Sequence, residues 1–249
     1  MKSIEVEKSH TQQLILKEVE KSPFISKTQK KIYLKKGEDP LNTIDTKNYF
    51  YFVISGKLKI YQIDFKTSKE LTLYMLSRGD MFDVVSLLDG NPNQYISEVL
   101  EDTELISIPL EDVKQMILED NAFRQLFYTY LAAKLKSMEN LAVSLSFYDV
   151  YQRVLQLFTN FTYIKDNKPT LKIIDNLRHE DIASMVGTVR KVVNRSLQKL
   201  KKDGVIELSR KNIQIKNFQK LLDKLNIWDD QTLKTIINSI LFKDGLTSF

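Results

Sequence analysis

The segment from His179 to Lys202, HEDIASMVGTVRKVVNRSLQKLKK, constrains this chain more than any other. Its pattern predicts two short helices joined by a tight turn. Gly187 falls where the chain must bend sharply, and a residue without a β-carbon bends there at least cost. Thr188 follows as the expected N-cap of the second helix, its hydroxyl placed to accept from the first free amides. Within that helix Val189, Val193, Leu197 and Leu200 recur at three- and four-residue steps and predict one buried face. Arg190, Lys191, Asn194, Arg195, Gln198 and Lys202 fall largely elsewhere. Arg, Lys, Asn and Gln are the side chains that read base edges and phosphates, so the pattern predicts a helix-turn-helix that enters DNA. A plain helical hairpin with a solvated basic face has the same periodicity, and the residues that follow decide between the two.

Those residues are DGVIELSRKNIQIKN. Asp203-Gly204 is a turn signal; Val205, Ile206 and Leu208, then Ile213 and Ile215, are two strand-like runs around Ser209-Arg210-Lys211-Asn212. They predict a β-hairpin with a basic tip, the wing of a winged helix. From Arg178 to Lys220 eleven Lys or Arg stand against four acids, a local charge of +7, while the whole chain carries +5. Everything outside the segment therefore sums to −2. Positive charge gathered in one place is what a phosphate-binding surface requires.

At 249 residues the chain is long enough for two modest domains, and its 43% hydrophobic content is that of an ordinary globular protein. It has no cysteine. That excludes disulfides, thiolate zinc sites, cysteine-bound iron–sulfur clusters and thiol redox sensing. No apolar run approaches the ~18 residues of a membrane span, and MKSIEVEKSH lacks a signal-peptide core. The expected location is the cytoplasm, with no membrane partner. Paired catalytic carboxylates in a known motif, a Gly-rich phosphate loop, a nucleophile elbow and a metal-ligand cluster are all missing, so neither an enzyme nor a cofactor is expected.

Upstream the pattern changes twice. Residues 1 to about 30 read as a polar helix with Leu14, Ile15, Val19 and Phe24 as docking residues. From Lys31 short strands begin: Lys31–Leu34; Tyr49–Ile54 and Lys57–Ile63 as a hairpin around Ser55-Gly56; Leu71–Leu76; Ile96–Val99; and Glu104–Ile108. Glycines at 37, 56, 79 and 90 punctuate them, which predicts a small antiparallel barrel or roll. A long helical stretch starts near Leu110. Asn121 to Tyr148 contains no Gly or Pro, and Phe127, Leu131, Leu135, Met138, Ala142 and Leu145 keep a helical rhythm. A helix of ~25 residues is over twice the average, and a dimer seam is the natural use of its surplus apolar length. Asp149 then opens a second domain, with a first helix from Val150 to about Phe161.

This order resembles the Crp/Fnr family of bacterial transcription regulators, from about residue 25 to 217. Asp181-Ile182-Ala183-Ser184 with Val186-Gly187-Thr188-Val189-Arg190 resembles the family's turn and recognition-helix start. Phe147-Tyr148-Asp149-Val150 with Arg153 is similar to its junction between dimer helix and DNA domain, and Tyr51 to Lys57 to its early sensor hairpin. The resemblance implies an α+β chain: an N-terminal antiparallel β-roll like a cyclic nucleotide-binding domain over 1–120, a dimerisation helix over 121–148, and a winged helix-turn-helix over 149–217. Residues 218–249 form an apolar, Trp-bearing helical extension. The implied protein is a homodimer on an inverted repeat of double-stranded DNA, in contact with RNA polymerase and open to a small-molecule effector. The alternative is a small-molecule-gated regulatory protein whose basic hairpin binds a protein partner.

Departures from the family matter as much. In cyclic-AMP-responsive members the phosphate lies against a Gly-Glu-Leu cassette and an Arg-Ser pair. Here Gly79-Asp80-Met81 stands in the first place, with Asp80 able to meet a ribose hydroxyl. Asn93 and Gln94 stand near the second, and Met138 and Glu139 where the purine would be met. No Lys or Arg lies between Arg78 and Lys114, and burying a phosphate without a cation is costly, so a cyclic-AMP response is not expected. The only histidines are His10 and His179, the latter at the first helix of the motif, where a surface or capping role is expected and not a haem ligand. For DNA, Arg190 and Arg195 match the family's arginines, with Arg195 expected on guanine O6/N7. Lys191 replaces a family Glu that accepts from cytosine. Thr188, Asn194 and Lys199 are further contacts, and Arg210 and Lys211 on the wing tip are expected on phosphates.

Overall fold

The structure, a computed structural model, describes residues 4–22, 29–91, 95–165, 168–171, 174, 176–209 and 212–225. It divides into two compact units, one of Lys8–Ser68 and Thr72–Asn140, the other centred on the chain after Leu141. Phe24 and the tail beyond Leu225, both singled out above, lie outside the described residues.

The first unit opens with α1 (Ile4–Lys21). Ile15, Leu16 and Val19, spaced to share one face, are buried in its core. Strands β1 (Lys30–Leu34), β2 (Tyr49–Asp64), β3 (Lys69–Leu76), β4 (Met81–Phe82), the short helix α2 (Val84–Asp89) and β5 (Ile96–Pro109) follow. They form an antiparallel sheet in the order β1-β5-β2-β3, with β4 also on β2. The roll expected from the glycine spacing is therefore present, but its strands are longer and fewer than expected. Tyr49–Ile54 and Lys57–Ile63 are not a hairpin. They are one strand, paired with β5 from Tyr49↔Pro109 to Tyr61↔Ile96 and irregular between Val53 and Leu58. Ile96–Val99 and Glu104–Ile108 likewise merge into the single strand β5.

The reason is a β-bulge. Before it, Tyr51 and Val53 face one apolar cluster; after it, Leu58 and Ile60 do, so the alternation changes phase just as it would at a turn. Gly56 sits there at φ +90, with Asp102 O 2.5 Å from where a β-carbon would be and Thr103 nearer still. The other face of β2 sends Phe50 and Phe52 into a cluster with Phe123 and Phe127. Each such ring contributes about 1.5–3 kcal/mol of burial.

Two helices follow, α3 (Leu110–Glu119) and α4 (Asn121–Phe147), the latter belonging to this unit as far as Asn140. One extended residue separates them. Asp120, at φ −92 and ψ 104, turns the chain, and its carboxylate accepts from the amides of Ala122 and Phe123 at 2.9 and 3.0 Å, starting α4. Early in α4 Phe123, Phe127 and Tyr130 are buried, whereas Leu135 is 65% and Val143 45% exposed.

The second unit begins with α5 (Val150–Asn160), started by a capping box between Asp149 and Gln152. A hairpin not foreseen from the sequence, β6 (Thr162–Lys165) and β7 (Lys168–Leu171), comes next. Then come α6 (His179–Met185), α7 (Arg190–Lys202), the wing strands β8 (Ile206–Leu208) and β9 (Ile213–Ile215), and α8 (Phe218–Lys224). Their shared core holds Val154 and Phe158 of α5, Ile182 of α6, and Val193, Leu197 and Leu200 of α7. Leu221 and Leu222 of α8 complete it, so the first turns of the extension pack into this core.

Candidate nucleic-acid interface and roll cavity

The turn between α6 and α7 uses Gly187 at φ +62, the left-handed region that favours glycine; a β-carbon there would come 2.6 Å from Leu145 Cδ2. Thr188 does not cap α7. Its amide donates to Ala183 O at 2.9 Å, closing the turn, and Val189 occupies the N-cap position without a side-chain bond. Val189 is accordingly 48% exposed and not part of the buried face, which consists of Val193, Ser196, Leu197 and Leu200.

On the opposite face Arg190, Lys191, Arg195 and Lys199 are exposed, and Thr188 and Asn194 half-buried. Neighbours hold several of them in place. Glu180 of α6 pairs with Arg190 at 2.8 Å. His179 Nδ1 lies 2.6 Å from Asn194 Oδ1; with that oxygen accepting, the Asn194 amide keeps its N–H donors for other partners. Lys199 Nζ sits 4.2 Å from the Tyr151 ring centroid, a cation–π contact that draws it toward α5. Arg178 grips the buried Asp181 with two bonds, at 2.8 and 2.9 Å, and anchors the start of α6. The sequence reading missed these supports, although the i,i+3 spacing of Arg178 and Asp181 was a visible signal.

The wing follows as expected, with Ile206↔Ile215 and Leu208↔Ile213 in register and Ser209 N donating to Asn212 O at 2.9 Å at its tip. Arg210 and Lys211 lie outside the described residues. Lys224 of α8 ties back to Asp203 at 2.7 Å, a bond that lowers the Asp203 carboxyl and raises the Lys224 ammonium.

In the first unit a cavity of about 230 Å³ opens beside α4. Its walls are mainly apolar, from Ile60, Leu73, Leu76, Met81, Val84 and Leu131, with Gln62, Asp83, Tyr95 and Lys134 as polar members. Asp80 is 1% exposed, so its carboxylate is already committed. It accepts from Lys134 Nζ at 2.8 Å, Tyr130 Oη at 3.0 Å and Ser77 N at 2.9 Å. Burial, and then the Asp80 charge, hold the Tyr130 phenol well above its ordinary range, so it stays a donor. The absence of cations between Arg78 and Lys114 is thus only part of the account: Lys134 reaches the roll from α4. Gly79, at φ +83, lets α1 approach, since a β-carbon would come 2.6 Å from Gln12 O. Met138 and Glu139 are not among the cavity's lining residues; Glu139 pairs with Lys136 at 3.3 Å. Asn93 and Gln94 lie outside the described residues. Among the described residues no cluster of three His, Asp or Glu suits a metal, and no helix is long and apolar enough to cross a membrane.

A basic helix presented across a glycine turn, followed by a two-stranded wing, defines a winged helix-turn-helix; joined to a β-roll with a cavity, it defines a transcription regulator. Comparison with known proteins agrees. A model of the Crp-like helix-turn-helix domain matches residues 152–224, and one of the cyclic nucleotide-binding domain matches residues 31–120. The chain is 28% identical to a cyclic AMP receptor protein of Thermus thermophilus over 67% of its own length and 74% of that protein. It is 26% identical to a global nitrogen regulator of Nostoc sp., over 66% and 75%. A structure of a CooA mutant from Carboxydothermus hydrogenoformans shares its fold with TM-score 0.68 at 24% identity, covering 84% of this chain and 94% of the other. The chain belongs to the Crp/Fnr family of transcription regulators.

Proposed function

We propose that the protein acts in the cytoplasm as a homodimer that reads an inverted repeat, its two α7 helices entering successive major grooves about 34–36 Å apart. The exposed basic face of α7 carries this reading. Arg195, exposed on that face, is assigned to guanine O6/N7. Arg190 is held at a set angle by Glu180, and Asn194 offers its amide donors to a base acceptor. Thr188, Lys191 and Lys199 give further contacts, and Arg210 and Lys211 on the wing meet phosphates. Since Lys191 cannot accept from cytosine, the half-site differs from the one read through a Glu at that position.

The dimer is supported by α4, where Tyr128, Leu135 and Ala142 recur every seven residues and the first two are 54% and 65% exposed. The residues 121–148 then form the seam, and 149–217 with α8 the DNA domain. A cyclic-AMP response does not fit the roll. Asp80 is fully engaged with Lys134, Tyr130 and Ser77, which leaves it no capacity for a ribose, and Lys134's charge is matched by Asp80. The signal is a different small molecule, binding shifts the population of DNA-competent dimers, and RNA polymerase is the downstream partner. Nothing in this reading involves a catalytic step.

Genome-wide immunoprecipitation footprinting with wild type and Arg195→Ala tests it. The expected result is discrete peaks over an inverted repeat that are lost or relaxed in the variant, as removal of a contact worth about 1–3 kcal/mol requires. Absence of enriched sites under all growth conditions would overturn it.

A further inference from the structure

DNA reading makes no use of the roll cavity, and the chemistry of its lining is specific. At about 230 Å³ it falls below the ~300–1,000 Å³ of sites for drug-sized ligands. Val85 and Leu88 line it while 48% and 57% exposed, so its mouth is apolar too. Lys134 is the one Lys or Arg among the described lining residues; its ammonium is already 2.8 Å from Asp80 and within 4.9 and 5.4 Å of the Tyr130 and Tyr74 ring centroids. Asp83 adds a further carboxylate to the wall. An entering anion would lose its hydration and meet acids at least as numerous as cations.

One polar group in the wall is under-used. Tyr95 Oη is buried without a hydrogen bond of good geometry, the Asp83 carboxylate beside it engaging it only loosely. Burial, then the Asp83 charge and that loose bond, push its phenol up, so it is a neutral O–H donor. Buried hydroxyls are normally fully satisfied, and a ligand oxygen would complete this one. Asp83 itself holds φ +62, a strained conformation for a residue other than glycine, and caps α2 by accepting from Ser86 N.

We infer that the cavity binds a compact, uncharged, mostly apolar molecule carrying one hydroxyl or carbonyl group, whose oxygen pairs with the Tyr95 hydroxyl. The inference rests on the reading of the roll as a sensor and names its ligand class. Such a molecule touches Tyr130, Leu131 and Lys134 together, so it acts on α4 directly.

The test is titration of the full-length protein with cyclohexanol, 4-methylphenol, toluene, 4-methylbenzoate and cyclic AMP, following the methyl resonances of Leu73, Val84 and Leu131. Saturable shifts with cyclohexanol or 4-methylphenol are expected, with 4-methylbenzoate weaker by about tenfold or more and cyclic AMP without effect at these methyls. Tyr95→Phe is expected to weaken the hydroxyl probes about three- to tenfold and leave toluene unchanged, the signature of one lost hydrogen bond. Leu131→Trp, which fills the space, should abolish all binding. If that variant does not fold, the shifts in the unsubstituted protein still decide. No saturable shift with either hydroxyl probe, equal binding of 4-methylbenzoate, or cyclic AMP binding at these methyls overturns the inference. Footprinting of the same protein separates the two readings: probes that bind a chain without DNA sites overturn the regulator, not the ligand class.

Discussion

Lys134 and Asp80 show how much one residue pair can hold. They stand 54 positions apart, and their side chains are 13% and 1% exposed. Lys134→Met removes the counter-charge and leaves a buried carboxylate that keeps its bonds from the Ser77 amide and the Tyr130 hydroxyl. Breaking a buried pair costs about 3–5 kcal/mol, and these two bonds put the expected loss near the lower end. Urea denaturation measures it, and adding Asp80→Asn to the variant is expected to recover much of the loss. A variant as stable as wild type would show that the pair contributes nothing. No local pattern announces such a pair, because neither residue has a sequence neighbour that implies the other. The same holds for His179 with Asn194 and Glu180 with Arg190, brought together only when α6 packs on α7. The exposed positions of Arg195 and Lys191, by contrast, were legible from helical periodicity alone.

At the level of elements, the phase of alternation was legible and its cause was not. A break at Ser55-Gly56 marks a turn or a bulge equally well, and only the pairing of Tyr49–Tyr61 with a strand made much later distinguishes them. The distinction is measurable. In a hairpin turn asparagine tolerates positive φ nearly as well as glycine. In the bulge a β-carbon meets Asp102 O and Thr103, so Gly56→Asn is expected to cost as much as Gly56→Ala, about 2 kcal/mol each. Equal urea midpoints for wild type and Gly56→Asn would contradict the bulge. The start of α7 gives a similar lesson: Thr188 has the chemistry of a cap, but the glycine turn spends its amide on Ala183 and delays the helix to Arg190. The β6–β7 hairpin went unseen because KDNKP offers no clear apolar alternation beside it.

For the molecule as a whole, the proposed dimer depends on what a single chain leaves uncovered. Leu135 lies 65% exposed at mid-helix in α4, and a charge there would be buried in a dimer but solvated in a monomer. Leu135→Glu is therefore expected to halve the sedimenting mass while the helical content of both units persists, and to weaken operator binding steeply. A variant that remains dimeric would move the seam elsewhere. The separation of charge, +7 between Arg178 and Lys220 against −2 for the rest, is consistent with one DNA-facing region per chain.

The order of strands in the roll has a consequence for how the chain is made. β5 lies between β1 and β2 in the sheet, pairing Lys30 with Ser107 and Tyr49 with Pro109, yet it is the last of the strands to be synthesised. A nascent chain leaving the ribosome thus carries Phe50, Phe52 and Val53 without their β5 partners until Ile96–Pro109 has followed. Pairings so distant along the chain close slowly, and open apolar strands are what chaperones bind and aggregates recruit. The winged helix, whose hairpin partners are a few residues apart, carries no such delay. In this regulator the half that holds the roll is the harder half to fold.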